Sequence, residues 1–78
     1  MISYEDFEKR CLRLLIKERS ASDPKDLKKY IKEEESQEII RKFYDEGVER
    51  YKENPKHDEE VAFGYCLSTA VENLNLLY

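Results

Sequence analysis

The sequence predicts an all-α domain: a small four-helix bundle-like fold with a short helix 2 and a C-terminal helix that is either central or at an oligomer interface. Three observations carry this expectation. Apolar residues recur at spacings of three and four through most of the chain, the period of an amphipathic helix. Strand-like alternation is not sustained anywhere. The two glycines, Gly47 and Gly64, fall inside helical stretches and not at turns. With 78 residues, a single domain over 1–78 is the natural division.

Helix 1 is expected over about 4–19. Ser3 suits the N-cap, and Glu5 and Asp6 place negative charge in the first turn. Phe7, Cys11, Leu14 and Leu15 share one face. Ser20-Ala21-Ser22 breaks the pattern. Helix 2, about 24–34, opens on Asp23 as N-cap and Pro24 at the first helical position, where no donor is lost. Leu27, Tyr30 and Ile31 form its stripe. The Glu33-Glu34-Glu35 run ends it badly, because acidic charge opposes the dipole at a C-terminus. A soft ending or a kinked continuation follows, with Ser36 as the candidate cap of the restart.

Helix 3, about 37–52, carries Ile40, Phe43, Tyr44, Gly47, Val48 and Tyr51 on one side. Gly47 costs about 1 kcal/mol of helix propensity relative to alanine. Its place in the stripe points to close approach by another helix. Glu38 with Lys42 and Glu46 with Arg50 are favourable i,i+4 pairs. Asn54-Pro55 marks the last turn. Helix 4, about 58–77, begins at Asp58 or, in a second reading, at Pro55 with Asn54 as its cap. Phe63, Cys66, Leu67, Ala70, Val71, Leu74 and Leu77 make its main stripe.

Helix 4 differs from the others in charge. Acidic and basic residues make up 41% of the chain, yet from Val61 onward Glu72 is the only charged side chain. A helix with so weakly polar a back is either surrounded by its own chain or covered by a partner. In the second case Tyr65 and Leu76 anchor the contact, flanked by Ala62 and Thr69. Helix 1 adds a second edge, Leu12 and Ile16, which lie off its main face and make its apolar arc too wide for one neighbour. These six residues are the candidate interface, and a homodimer through either edge is the favoured way to cover them. The six tyrosines suit the boundary of a small core as well as a recognition surface.

The net charge of −4 opposes general nucleic-acid binding, which needs a basic excess to neutralise phosphates. It likewise opposes attraction to anionic membranes. A regulatory nucleic-acid binder remains as the alternative, using Lys9, Arg10, Arg13 and Lys17 of helix 1 with Lys25, Lys28, Lys29 and Lys32 of helix 2. Acids on helix 3 would resist that approach.

No catalytic constellation stands out. His57, the single histidine, lies beside Asp58, Glu59 and Glu60. That run fits an acidic helix start better than a zinc site, which draws on more His or Cys. A Cys–His pair would require His57 to reach Cys11 or Cys66; both cysteines sit among apolar neighbours, and buried free thiols are expected over the alternative, a Cys11–Cys66 disulfide. No phosphate loop, calcium loop or nucleophile elbow is present. The expectation is therefore a non-enzymatic helical interaction module with no cofactor, no metal and no small-molecule substrate, whose partner is a protein or a second copy. No basic region followed by an apolar stretch marks the N-terminus, and no apolar run approaches a membrane span. A cytoplasmic location is the corresponding expectation.

Overall fold

The computed structural model describes residues 1–54, 56 and 58–78. Among them are four helices and no strands: α1 (Tyr4–Glu18), α2 (Pro24–Tyr30), α3 (Glu34–Glu53) and α4 (Glu59–Leu77). The chain is all-α, and three long helices with one short one form a body of 39 × 22 × 19 Å.

The expected caps account for three of the four starts. Ser3 Oγ accepts from the Asp6 amide at 3.1 Å, and Asp23 Oδ1 from the Lys25 amide at 2.9 Å. Asp58 Oδ1 accepts from the Val61 amide at 3.0 Å. Helix α4 therefore starts after Asp58. The alternative start at Pro55 falls on a residue outside those described.

The junction between α2 and α3 differs from the sequence reading. Helix α2 ends at Tyr30, not near Glu34, and α3 begins at Glu34, not Gln37. The Lys32 and Glu33 amides donate to the Lys29 and Tyr30 carbonyls, tightening the last turn. Glu33 is then extended and serves as N-cap without a side-chain hydrogen bond. Glu34 and Glu35 thus occupy the positive end of the α3 dipole, where acids stabilise, and avoid the negative end of α2. Ser36 is not a cap. It sits in the first turn of α3 and is fully buried.

A polar network fixes this junction. Gln37 Nε2 donates to the Ile31 carbonyl and, at 2.7 Å, to Glu8 Oε2. Gln37 Oε1 accepts from the Tyr4 hydroxyl at 2.7 Å, and Lys32 Nζ meets Glu8 Oε1 at 2.7 Å. Burial pushes the Glu8 carboxyl up, but the hydrogen bonds from Lys32 and Gln37 and the Lys32 charge outweigh it and hold Glu8 below its usual range.

Helices α3 and α4 form the most extensive contact. Their sequence order and the pairing of Gly47 with Phe63 make them an antiparallel hairpin. A side chain on Gly47 would place its Cβ within 2.6 Å of two Phe63 ring atoms. The glycine is thus required by close approach, as its place in the stripe predicts. Helix α1 lies against both partners. Phe7, Tyr44 and Phe63, one from each long helix, bring their rings to 5.7–6.0 Å between centroids. Leu15, Leu27, Ile40, Val71 and Leu74 complete a core with no exposure. Fully burying such a side chain contributes about 1.5–3 kcal/mol. Ile2, outside any predicted element, also enters the core, and its carbonyl accepts from the Tyr44 hydroxyl at 2.9 Å.

Of the two expected i,i+4 pairs, Glu46–Arg50 forms at 3.5 Å. Lys42 instead places Nζ over the Phe43 ring at 5.3 Å, where its stem covers apolar surface.

The buried Ser36 hydroxyl lies beside the Tyr30 phenol but has no hydrogen-bond partner of normal geometry among the described residues. Tyr30 commits its own proton to the Leu74 carbonyl at 2.6 Å. Ser36→Ala removes an unsatisfied hydroxyl and improves helix propensity, so a gain of about 1 kcal/mol is expected in urea unfolding. A loss would mean that the Ser36–Tyr30 contact is a stabilising hydrogen bond.

Candidate interaction surface

Helix α4 is half core and half open. Ala62, Phe63, Cys66, Ala70, Val71 and Leu74 are buried. The opposite side presents Val61, Tyr65, Ser68, Glu72 and Leu76, all exposed. Their spacings of four, three, four and four place them in one narrow row. Val61 is 58% exposed, Tyr65 60% and Leu76 80%, while Leu77, also exposed, faces α2 beside Tyr30. The helix is therefore not surrounded by its own chain.

Ala62, expected at this edge, belongs to the core at 4% exposure. It is set about 100° around the helix from Val61, and the two share a cleft with Arg50, Glu53 and Asn54 at the end of α3. Thr69 is half-buried, and its hydroxyl donates to the Tyr65 carbonyl at 2.9 Å. Asn73 repeats this one turn later, donating to the Thr69 carbonyl at 2.8 Å. Both polar side chains thus turn back onto their own helix. Gly64, at the flank, has open space where a Cβ would stand.

The end of α3 reaches this row. The Arg50 guanidinium lies over the Tyr65 ring at 4.9 Å. This stack is not legible in the sequence, because a cross-helix contact leaves no periodic mark. The row itself was legible: continuing the Tyr65–Leu76 spacing picks out Val61, Ser68 and Glu72.

Leu12 and Ile16 occupy a different place. They are half-buried and pack against the core. They continue the row of Glu8, whose carboxylate meets Lys32 and Gln37. Helix α4 borders the other flank of α1, where Arg10, Arg13, Leu14 and Lys17 line a depression of about 430 Å³ with Glu60 and Leu67. The two expected edges are thus separate surfaces. The α4 row is the exposed one.

The charges are also divided. Nine basic and three acidic residues lie between positions 9 and 32, against five basic and eleven acidic between 33 and 60. Lys25, Lys28 and Lys29 of α2, with Lys32 just after it, line a shallow depression.

Cys11 and Cys66 are free and buried, as the sequence predicts. Burial first, and then the Glu8 charge, pushes the Cys11 thiol up to about 12. Burial also raises Cys66. Neither is prepared as a nucleophile, which requires a lowered pKa. The metal and Cys–His readings of His57 fall on a residue outside those described. Among the described residues, no three His, Cys, Asp or Glu side chains group as a metal site. Nor is any described helix long and apolar enough to cross a membrane.

No protein-family profile, curated protein or solved structure matches the chain. The functional reading therefore rests on this surface.

Proposed function

We propose that this protein is a non-enzymatic helical interaction module that associates with a second copy of itself through the outer row of α4. The observation that carries the reading is the exposure of Val61, Tyr65 and Leu76 in one row on a helix whose only charge after residue 60 is Glu72. Large exposed apolar side chains grouped on one helix face are characteristic of contact surfaces. The row of Val61, Tyr65, Ser68, Glu72 and Leu76 is smaller than the roughly 20–30 residues per side of a standard interface, so the association is reversible. A cytoplasmic setting accords with two free thiols.

Sedimentation velocity from low to high micromolar concentration tests the reading. The wild type shifts toward dimer. Tyr65→Glu and Leu76→Glu remain folded and monomeric, because both sites are open and a buried carboxylate at the interface is costly. A wild type that stays monomeric at high micromolar concentration overturns the proposal.

The division of charge favours one second reading, a regulatory nucleic-acid binder using the basic side of α1 and α2. It requires binding that weakens steeply with added salt. Fluorescence anisotropy with DNA and RNA duplexes tests it, and no binding at low salt removes it.

A further inference from the structure

The exposed row of α4 is symmetric about its own middle. Val61 and Leu76 stand equally far from the midpoint between Ser68 and Thr69, and so do Tyr65 and Glu72. Apolar side chains lie at the two ends, small ones at the centre. An aromatic ring carrying a cation lies on one side and an acid on the other. In a two-fold interface, each residue that meets a second also receives it from the other copy. An antiparallel pairing across this midpoint sets Val61 against Leu76 and Tyr65 against Glu72, twice each.

The charges select that pairing. Arg50 stacks on Tyr65, and its side chain is still 48% exposed. Among the described residues its one ion pair, with Glu46, is long at 3.5 Å. Among the described residues Glu72 forms no ion pair. A parallel pairing would bring Glu72 against Glu72, which repel. The antiparallel one delivers each carboxylate to the other copy's Arg50 and Tyr65 hydroxyl. Ser68 and the open flank at Gly64 let the two helices approach closely at the crossing.

We infer that two chains pair antiparallel along α4, with the two-fold axis at Ser68–Thr69 and Glu72 of each copy bound by Arg50 and Tyr65 of the other. This rests on the proposed self-association and adds its register and its charge pairs.

Sedimentation equilibrium on the wild type, Arg50→Glu, Glu72→Arg and the double variant tests it, with circular dichroism to confirm that each stays helical. Each single change sets like charges together and weakens association at least tenfold. The double change reverses both partners and restores association to within about threefold of wild type. A dimer indifferent to the single changes, or not restored by the double, overturns this register while self-association stands. A wild type that is only monomeric overturns both.

If a charge reversal unfolds the chain, engineered cysteines report the same geometry. Val61 lies about 11 Å along the helix from the axis, and Ser68 within about 1 Å. Ser68→Cys therefore cross-links two chains under mild oxidation. Val61→Cys does not cross-link with itself but does with Leu76→Cys. Efficient Val61→Cys self-linkage, or failure of the mixed pair, overturns the register.

Discussion

Gly47→Ala should lower stability by about 2 kcal/mol, while Gly64→Ala should raise it by up to about 1 kcal/mol. The same atom is added in both cases, and each glycine is helical. At Gly47 the new Cβ would come within 2.6 Å of two Phe63 ring atoms. The ring is 2% exposed and shares the core with Phe7 and Tyr44, so it cannot swing aside. The hairpin must widen, and that loss of packing exceeds the gain in propensity. At Gly64 nothing stands within 4 Å, and only the propensity gain remains. Urea midpoints for the two variants test the assignment. A stabilised Gly47→Ala would show that α3 and α4 do not approach closely at this point. The difference matters because a domain of this length is stable by only roughly 4–12 kcal/mol.

Glu8→Ala should cost about 2 kcal/mol at neutral pH and progressively less in acid. The carboxylate side chain is 14% exposed and receives charge-assisted hydrogen bonds from Lys32 and Gln37, each worth more than a neutral one. The Lys32 end is discounted, because its side chain is 65% exposed and solvent weakens the pair. The pH dependence follows from the lowered folded pKa. On acidification the unfolded chain takes up the Glu8 proton first, near 4.5, and the folded chain only at lower pH. The contribution is complete above that value and is lost as pH falls through the folded pKa. The gap between wild type and Glu8→Ala should therefore be flat from pH 7 to about 5 and narrow below 4.5. A constant gap down to pH 3 would mean that Glu8 acts through packing and not through its charge.

The helices were legible because periodicity and capping are local. Ser3, Asp23 and Asp58 announce their helices within four residues, and Gly47 announces a close contact by its place in an apolar stripe. The α2–α3 boundary is harder to place, because its electrostatic cue points both ways. The acidic run 33–35 was recognised as a poor helix end, but the same charges make a good helix start. The boundary belongs before the run. Gln37 could not be singled out, since an amide joining Tyr4, Glu8 and Ile31 depends on three separate stretches of chain.

On the candidate surface, Tyr65 and Leu76 were legible because a missing charge is visible in sequence. Ala62 was misplaced because a small residue carries little signal about which flank a neighbouring helix covers. Arg50 was invisible because its stack on Tyr65 belongs to the hairpin and not to α4.

The far end of α4 is fastened to the end of α1. Arg19 donates through Nε to the Asn75 side chain and through Nη2 to the Asn75 carbonyl at 3.1 Å. Asn75 Nδ2 donates to Glu18 at 2.8 Å. Arg19 also covers the Tyr78 ring at 4.4 Å, while Tyr78 meets Tyr30 at 4.7 Å. Terminal helical turns ordinarily fray, and a side chain displayed on one must surrender that freedom when something lands on it. Leu76, next to Asn75, stands on backbone already held in place by residues more than fifty positions away. The backbone part of its ordering entropy is thus spent during folding, and a molecule arriving at this end meets a helical turn already in place.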